Sequence, residues 1–369
     1  MPPAARRKDN KWRASSQRWP TAVKQLLTED KLALSAQKQK KVALAGKGYK
    51  PYDASTATSK EYRHLYNMAR EQKWTPSQYA YLERIKNSII GSTNRYSRRL
   101  VAGDPMAPCA WDCYRRATML EPLAHEIFAT NVPGDFLEAG VLYGGVSIFM
   151  AALLRAAGQL GSRRMYIADS FEGMPPATSY SASFAGSEVG RAINMTDGSL
   201  LGDMQGKYRD GKLKGTLDLV KANVRKHLPT FDAGCASAAG LPAAEVPEGV
   251  HFLKGFFNES LPGPVKSVSL LRLDSDIFTS IYESLDKLYP LLSPGGFVVF
   301  DDWKITQARA AALLYRQRHG IKGPIWGSDQ DNAPPFWSLD RIAFWQKGGD
   351  STRAVRVARA ANAQVRRLA

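Results

Sequence analysis

Two stretches of the chain end in paired carboxylates: Leu271-Arg272-Leu273-Asp274-Ser275-Asp276 and Phe297-Val298-Val299-Phe300-Asp301-Asp302. Each is a short run of branched and aromatic residues, the pattern of a buried parallel strand, and each breaks off into acids where the C-terminal end of that strand would lie. Parallel neighbours run about 4.8 Å apart, so pairing the two would bring Asp274, Asp276, Asp301 and Asp302 onto one patch. Four carboxylates that close require raised pKa values, basic partners or a bound cation. No Cys lies nearby, and His64, His125, His227, His251 and His319 are scattered without ligand spacing. Hard oxygen donors alone suit Mg²⁺, Mn²⁺ or Ca²⁺ rather than zinc. A second reading makes Asp276 and Asp302 the caps of helices predicted over Ile277–Tyr289 and Ile305–His319.

A second constellation lies upstream. Residues Asp135 to Ser147 read as a strand, a glycine turn and the start of an apolar helix that continues through Leu154. Gly140, Gly144 and Gly145 let the backbone approach a ligand, and the N-terminus of the helix offers free N–H groups to an anion. The spacing is not GxGxxG, so the dinucleotide fingerprint is not met. The next strand, Arg164–Asp169, ends in an acid whose oxygens suit ribose hydroxyls. A glycine turn followed by a ribose acid implies an adenosine-like ligand. The plainer alternative is that the glycines serve only helix packing and that Asp169 caps a turn.

The elements that position these residues form a body of roughly residues 131–346. The chain has 369 residues, 44% of them hydrophobic, enough for a large core. No apolar run approaches the roughly 18 residues of a membrane span and no apolar signal-peptide core is evident, so a soluble protein is expected. Cys109, Cys113 and Cys235 form no framework, which suits a reduced, cytoplasmic setting. The net charge of +17 is concentrated at the ends: residues 1–60 hold 14 Lys+Arg against 4 Asp+Glu, and residues 346–369 hold 6 against 1. The body is therefore close to neutral, which argues against a nucleic-acid cleft. Residues 1–57 and 347–369 read as solvated tails, with an anionic partner or an organelle address for the N-terminus as alternatives. A helix is predicted near Thr21 to Leu34.

Residues 58–130 read as a helical segment and a candidate lid. Thr75 as N-cap, Pro76 at the first position and Gln78 closing a capping box predict a helix over Thr75–Ile90, ending at Gly91, with Tyr81, Leu82, Ile85 and Ile89 on its packing face. Another helix is predicted from about Glu121 to Thr130. A third candidate strand covers His251–Gly255.

The motifs Glu138 to Gly145, Ala168-Asp169-Ser170-Phe171-Glu172-Gly173-Met174-Pro175, Leu253 to Phe257, Leu271 to Asp276 and Ser293 to Asp302 follow one another in an order that resembles the macrocin O-methyltransferase family. The likeness covers roughly residues 118–346. It implies an α/β, Rossmann-like class I methyltransferase fold, a seven-stranded, mostly parallel sheet with helices on both faces that includes Arg341–Trp345. It also implies S-adenosylmethionine and Mg²⁺ (or Mn²⁺) as cofactors, and methyl transfer to a hydroxyl of a sugar diol on a glycosylated small molecule. By position, Asp274, Asp301 and Asp302 match the family's metal ligands and Asp276 its proposed general base. Glu138, Gly140, Ser147 and Asp169 match its cofactor-holding positions, and Gly144, Ser170 and Gly255 fall in the same motifs.

This sequence departs from the family at Ser275, where Gly is usual, and at Phe278-Thr279, where Tyr-Glu is common. Residues 179–215 and 229–248 look longer than the matching segments and read as mobile surface or a lid at the mouth where substrates are chosen. A catechol or phenol acceptor shares the logic of a chelated diol. A catalytically silent protein that holds an anionic polymer through its tails is the contrasting class. A homo-oligomer is compatible with either.

Overall fold

The computed structural model describes residues 74–90, 113–175, 213–231, 245–303, 305–323, 325–327 and 342–348. Both basic tails, the helix expected near residues 21–34 and most of the two insertions lie outside the described residues. Among those residues no helix is long and apolar enough to cross a membrane.

The described elements, in chain order, are α1 (Pro76–Ile90), α2 (Cys113–Ala129), β1 (Asp135–Ala139), α3 (Gly145–Ala156), β2 (Met165–Asp169), α4 (Leu217–His227), β3 (Val250–Lys254), the single turn α5 (Phe257–Ser260), β4 (Val268–Leu273), α6 (Phe278–Leu288), β5 (Leu292–Phe300), α7 (Thr306–Arg318), β6 (Trp326–Gly327) and β7 (Ala343–Gln346). The strands form one seven-stranded sheet in the order β3-β2-β1-β4-β5-β7-β6. The first five are parallel, and β7 runs antiparallel to both of its neighbours. Strand order reverses between β1 and β4, and in such sheets the crevice beyond the carboxyl ends at this switch point is where ligands bind.

Alternation along the central strands divides the core in two. Phe136, Leu270, Phe297 and Val299 pack with α1, α2, α3 and α4 on one face. Leu137, Leu271, Leu273, Val298 and Phe300 pack with α6 and α7 on the other. Glu138 therefore faces the α1–α4 side between Leu137 and Ala139, and Arg272 stands directly across from it on β4. A polar pair inside an otherwise apolar face must be satisfied internally.

The capping box of α1 forms as predicted: Gln78 N donates to Thr75 Oγ1 at 3.2 Å and Thr75 N to Gln78 Oε1 at 2.7 Å. Tyr81, Leu82, Ile85 and Ile89 are all buried. At about 1.5–3 kcal/mol per buried large side chain, this packing outweighs the roughly 1 kcal/mol of a cap, so α1 is a core helix. Helix α2 starts at Cys113, eight residues before the expected Glu121. Pro122 suggests a helix start from sequence, yet here it lies inside the helix. Its missing N–H forfeits one intrahelical bond, which the burial of Ala117, Met119 and Leu120 before it offsets.

Candidate active site

Three backbone bonds bring the strand ends level at the switch point. Gly140 N donates to Ala168 O, Asp274 N to Ala139 O and Asp301 N to Leu273 O, at 2.9, 2.9 and 3.0 Å. Asp274 follows β4 and Asp301 follows β5, each two residues beyond a side chain on the α1–α4 face (Arg272 and Val299). The period of two therefore aims both acids the same way. Oxygens of Asp274, Asp301 and Asp302 lie within 4.8 Å of one another. The convergence expected from sequence is present for these three.

Asp276 and Asp302 do not cap helices. The N-caps of α6 and α7 are Ile277 and Ile305, neither with a side-chain cap bond. Asp276 instead takes a left-handed backbone, φ 58°, in a tight turn closed by Ile277 N donating to Ser275 O at 2.6 Å. It lies close enough for its charge to raise the pKa of Asp302.

Two arginines hold the cluster. Arg272, 1% exposed, donates to Glu138 and Asp301 and pairs with Asp274 at 3.0 Å. Arg116 reaches over from α2 to Asp301 Oδ2, with Asp274 Oδ2 at 3.7 Å. Ser147, at the start of α3, donates to the other oxygen of Glu138. Glu138 and Ser147 thus lie buried behind the glycine turn, bonded to each other and to the arginine. The signal for Arg272 was visible as a charge inside an apolar strand. Nothing in the sequence marked Arg116.

Five acids against two arginines leave a surplus of negative charge. Burial pushes Asp302 up to about 8, helped by Asp276 and Asp301, and Asp274 up to about 6 against the pull of Arg272. Asp301 and Glu138 are also raised by burial, Glu138 to about 7. Asp302, pushed up to about 8, keeps its proton at neutral pH beside Asp274. Ser275 Oγ is buried beside them without a hydrogen-bond partner among the described residues. Three converging hard oxygen donors beside an orphaned hydroxyl fit a divalent cation of the Mg²⁺ or Mn²⁺ kind.

Opposite the acids, the glycine turn is tightly constrained. Gly140 has φ 84°, and a Cβ there would run into the carbonyl of Asp274. At Gly144, also φ 84°, a Cβ would lie 2.7 Å from Val220 of α4. These glycines thus serve close internal packing, whatever room they also leave for a ligand. Asp169 Oδ2 accepts from Val141 N at 2.8 Å and Oδ1 from Phe171 N at 2.9 Å, so the acid ties the end of β2 to the turn. Burial raises its pKa. Ser170 bonds Gly173 O at 2.7 Å, and Gly255 follows β3, its N donating to Asp169 O at 3.0 Å. Glu138, Gly140, Gly144, Ser147, Asp169, Ser170 and Gly255 thus gather around the ends of β1, β2 and β3.

A sheet of this order, with its last long strand antiparallel and a glycine turn facing acids across the switch point, defines a Rossmann-like class I methyltransferase. Its fold is similar to that of the O-methyltransferase NovP, with a TM-score of 0.53 and 24% identity over 74% of this chain and all of that one. The profile of the macrocin-O-methyltransferase (TylF) family matches residues 55–196 and 245–338, and the chain belongs to that family. It is an O-methyltransferase. Curated relatives include a tetracenomycin-C rhamnosyl 4'-O-methyltransferase from Streptomyces olivaceus, 38% identical over 60% of this chain and 72% of that protein. Another is the mycinamicin III 3''-O-methyltransferase of Micromonospora griseorubida, 30% identical over 60% of this chain and 75% of that protein.

Proposed function

We propose that this enzyme methylates a sugar hydroxyl of a glycosylated natural product, with S-adenosylmethionine as donor and a divalent cation, Mg²⁺ or Mn²⁺, at Asp274, Asp301 and Asp302. The observation that carries the reading is the convergence of those three carboxylates opposite the glycine turn. The relative named for methylating a rhamnosyl tetracenomycin favours a sugar acceptor.

When bound, the cation supplies Lewis acidity toward the acceptor hydroxyl and the sulfonium supplies the methyl group. The chain's own residues do the rest. Asp276, held in its tight turn beside the cluster, takes the hydroxyl proton as the oxygen acquires the methyl. The turn at Gly140–Gly144, with Asp169, Ser170 and Gly255, holds the donor, and Glu138 and Ser147 fix that turn from behind. Placing donor and acceptor in line accounts for most of the acceleration.

Calorimetric titration of S-adenosylmethionine and then Mg²⁺ into the wild type and an Asp301→Ala, Asp302→Ala variant tests the reading. The cofactor is expected to bind both proteins and Mg²⁺ only the wild type. A folded wild type that binds neither ligand would make the acids structural and refute the proposal.

A further inference from the structure

Asp301 is fully buried, and each of its carboxylate oxygens meets a guanidinium. The two arginines are not equivalent. Arg272 grows out of β4, is 1% exposed and also secures Glu138 on β1, so it is part of the framework. Arg116 comes from outside the sheet, near the start of α2, and is 11% exposed. Its ion pairs are with Asp301 Oδ2 and Asp274 Oδ2, two of the residues that converge as a metal-ligand set. Helix α2 is pinned beyond this point, through Glu121 paired with the buried Lys86 at 2.6 Å and through Leu120, Leu123 and Ile127 in the core. Arg116 lies in the turn before these anchors.

We infer that Arg116 is an internal counter-cation that holds the acids together before metal loading and is displaced when a divalent cation takes over its contacts with Asp301 and Asp274. A guanidinium carries one charge and directional donors. A divalent cation carries two charges and draws ligand oxygens to about 2.1 Å, so the two compete for the same oxygen lone pairs. Arg272 stays and keeps β1, β4 and β5 in register, while the first turn of α2 loosens at the rim of the site. Metal loading is thereby coupled to the N-terminal helical segment. Arg116 is a positioning residue in this scheme, and the inference rests on the metal site proposed above.

The test uses the full chain, with Mn²⁺ as probe, in wild type and Arg116→Met. Calorimetry gives the affinity, and amide hydrogen exchange reads the peptide covering residues 113–119. Removing a competitor is expected to tighten Mn²⁺ binding roughly tenfold, the size of a single coupling between sites. In the wild type, Mn²⁺ is expected to speed exchange in that peptide. In Arg116→Met, exchange there should already be fast and respond little to metal. Tighter binding by the variant with no metal response in the wild-type peptide would mean plain charge repulsion, and displacement would be wrong. Equal or weaker binding by the variant leaves the metal site standing and overturns the inference. Absence of Mn²⁺ binding to either folded protein overturns the inference and the metal site together.

Discussion

A single side chain, Arg272, carries an unusual share of the site. An isolated buried guanidinium costs several kcal/mol, and here Glu138, Asp274 and Asp301 offset that cost. Arg272→Met would leave those acids without their main counter-charge. The expected loss is about 3–5 kcal/mol, or roughly 10 °C in Tm, read by thermal denaturation at neutral pH. A loss below about 1 kcal/mol would show that protons, not the arginine, neutralise the acids. Asp276 calls for a different experiment, because its φ of 58° is one that Asn also tolerates. Asp276→Asn should keep fold, cofactor binding and cation binding while kcat on an accepted sugar falls about 10²–10⁴-fold. Unchanged kcat would remove Asp276 from the chemistry.

Among the elements, the turn after β1 and the end of β4 behave as one joint. A Cβ on Gly140 would collide with the carbonyl of Asp274, and the backbone there is left-handed. Gly140→Ala should therefore cost about 2–5 kcal/mol, from left-handed strain and overpacking together, and weaken cofactor and cation binding at once. If only cofactor binding suffers, the two sites are not joined through this contact. What the sequence revealed of such elements depended on whether the signal was local. The apolar runs, the capping box of α1 and the acids after β4 and β5 are local patterns, and all three are found in the structure. The start of α2 was hidden because Pro122 mimics a helix N-terminus, while the decisive burial of Ala117 and Leu120 is tertiary. Capping by Asp276 and Asp302 was plausible from spacing, but the caps fell one residue after Asp276 and three after Asp302. Arg116 could not be read at all, since its partners lie more than 150 positions away and meet it only because α2 packs over the end of the sheet.

At the scale of the whole molecule, the acid cluster links stability, pH and metal. Unfolded carboxylates titrate near pH 4, whereas burial holds Asp274 at about 6 and Asp302 at about 8 in the metal-free fold. Between those limits the native state keeps protons that the unfolded chain has released. Stability of the metal-free protein should therefore fall as pH rises through this window and level off above about 8. A divalent cation needs the ionised acids and must expel the proton that Asp302 keeps. Its affinity should thus rise with pH over the same window, by up to about tenfold per unit for each proton released. Melting curves with and without saturating MgCl₂, taken from about pH 6 to pH 9, should diverge as pH increases: the metal-free Tm drops while the Mg²⁺-induced gain grows. The divergence should vanish in the Asp301→Ala, Asp302→Ala variant, whose basic tails are unchanged. A Mg²⁺ effect of the same size at both ends of the range would mean that the cation binds elsewhere, without displacing a proton from these acids.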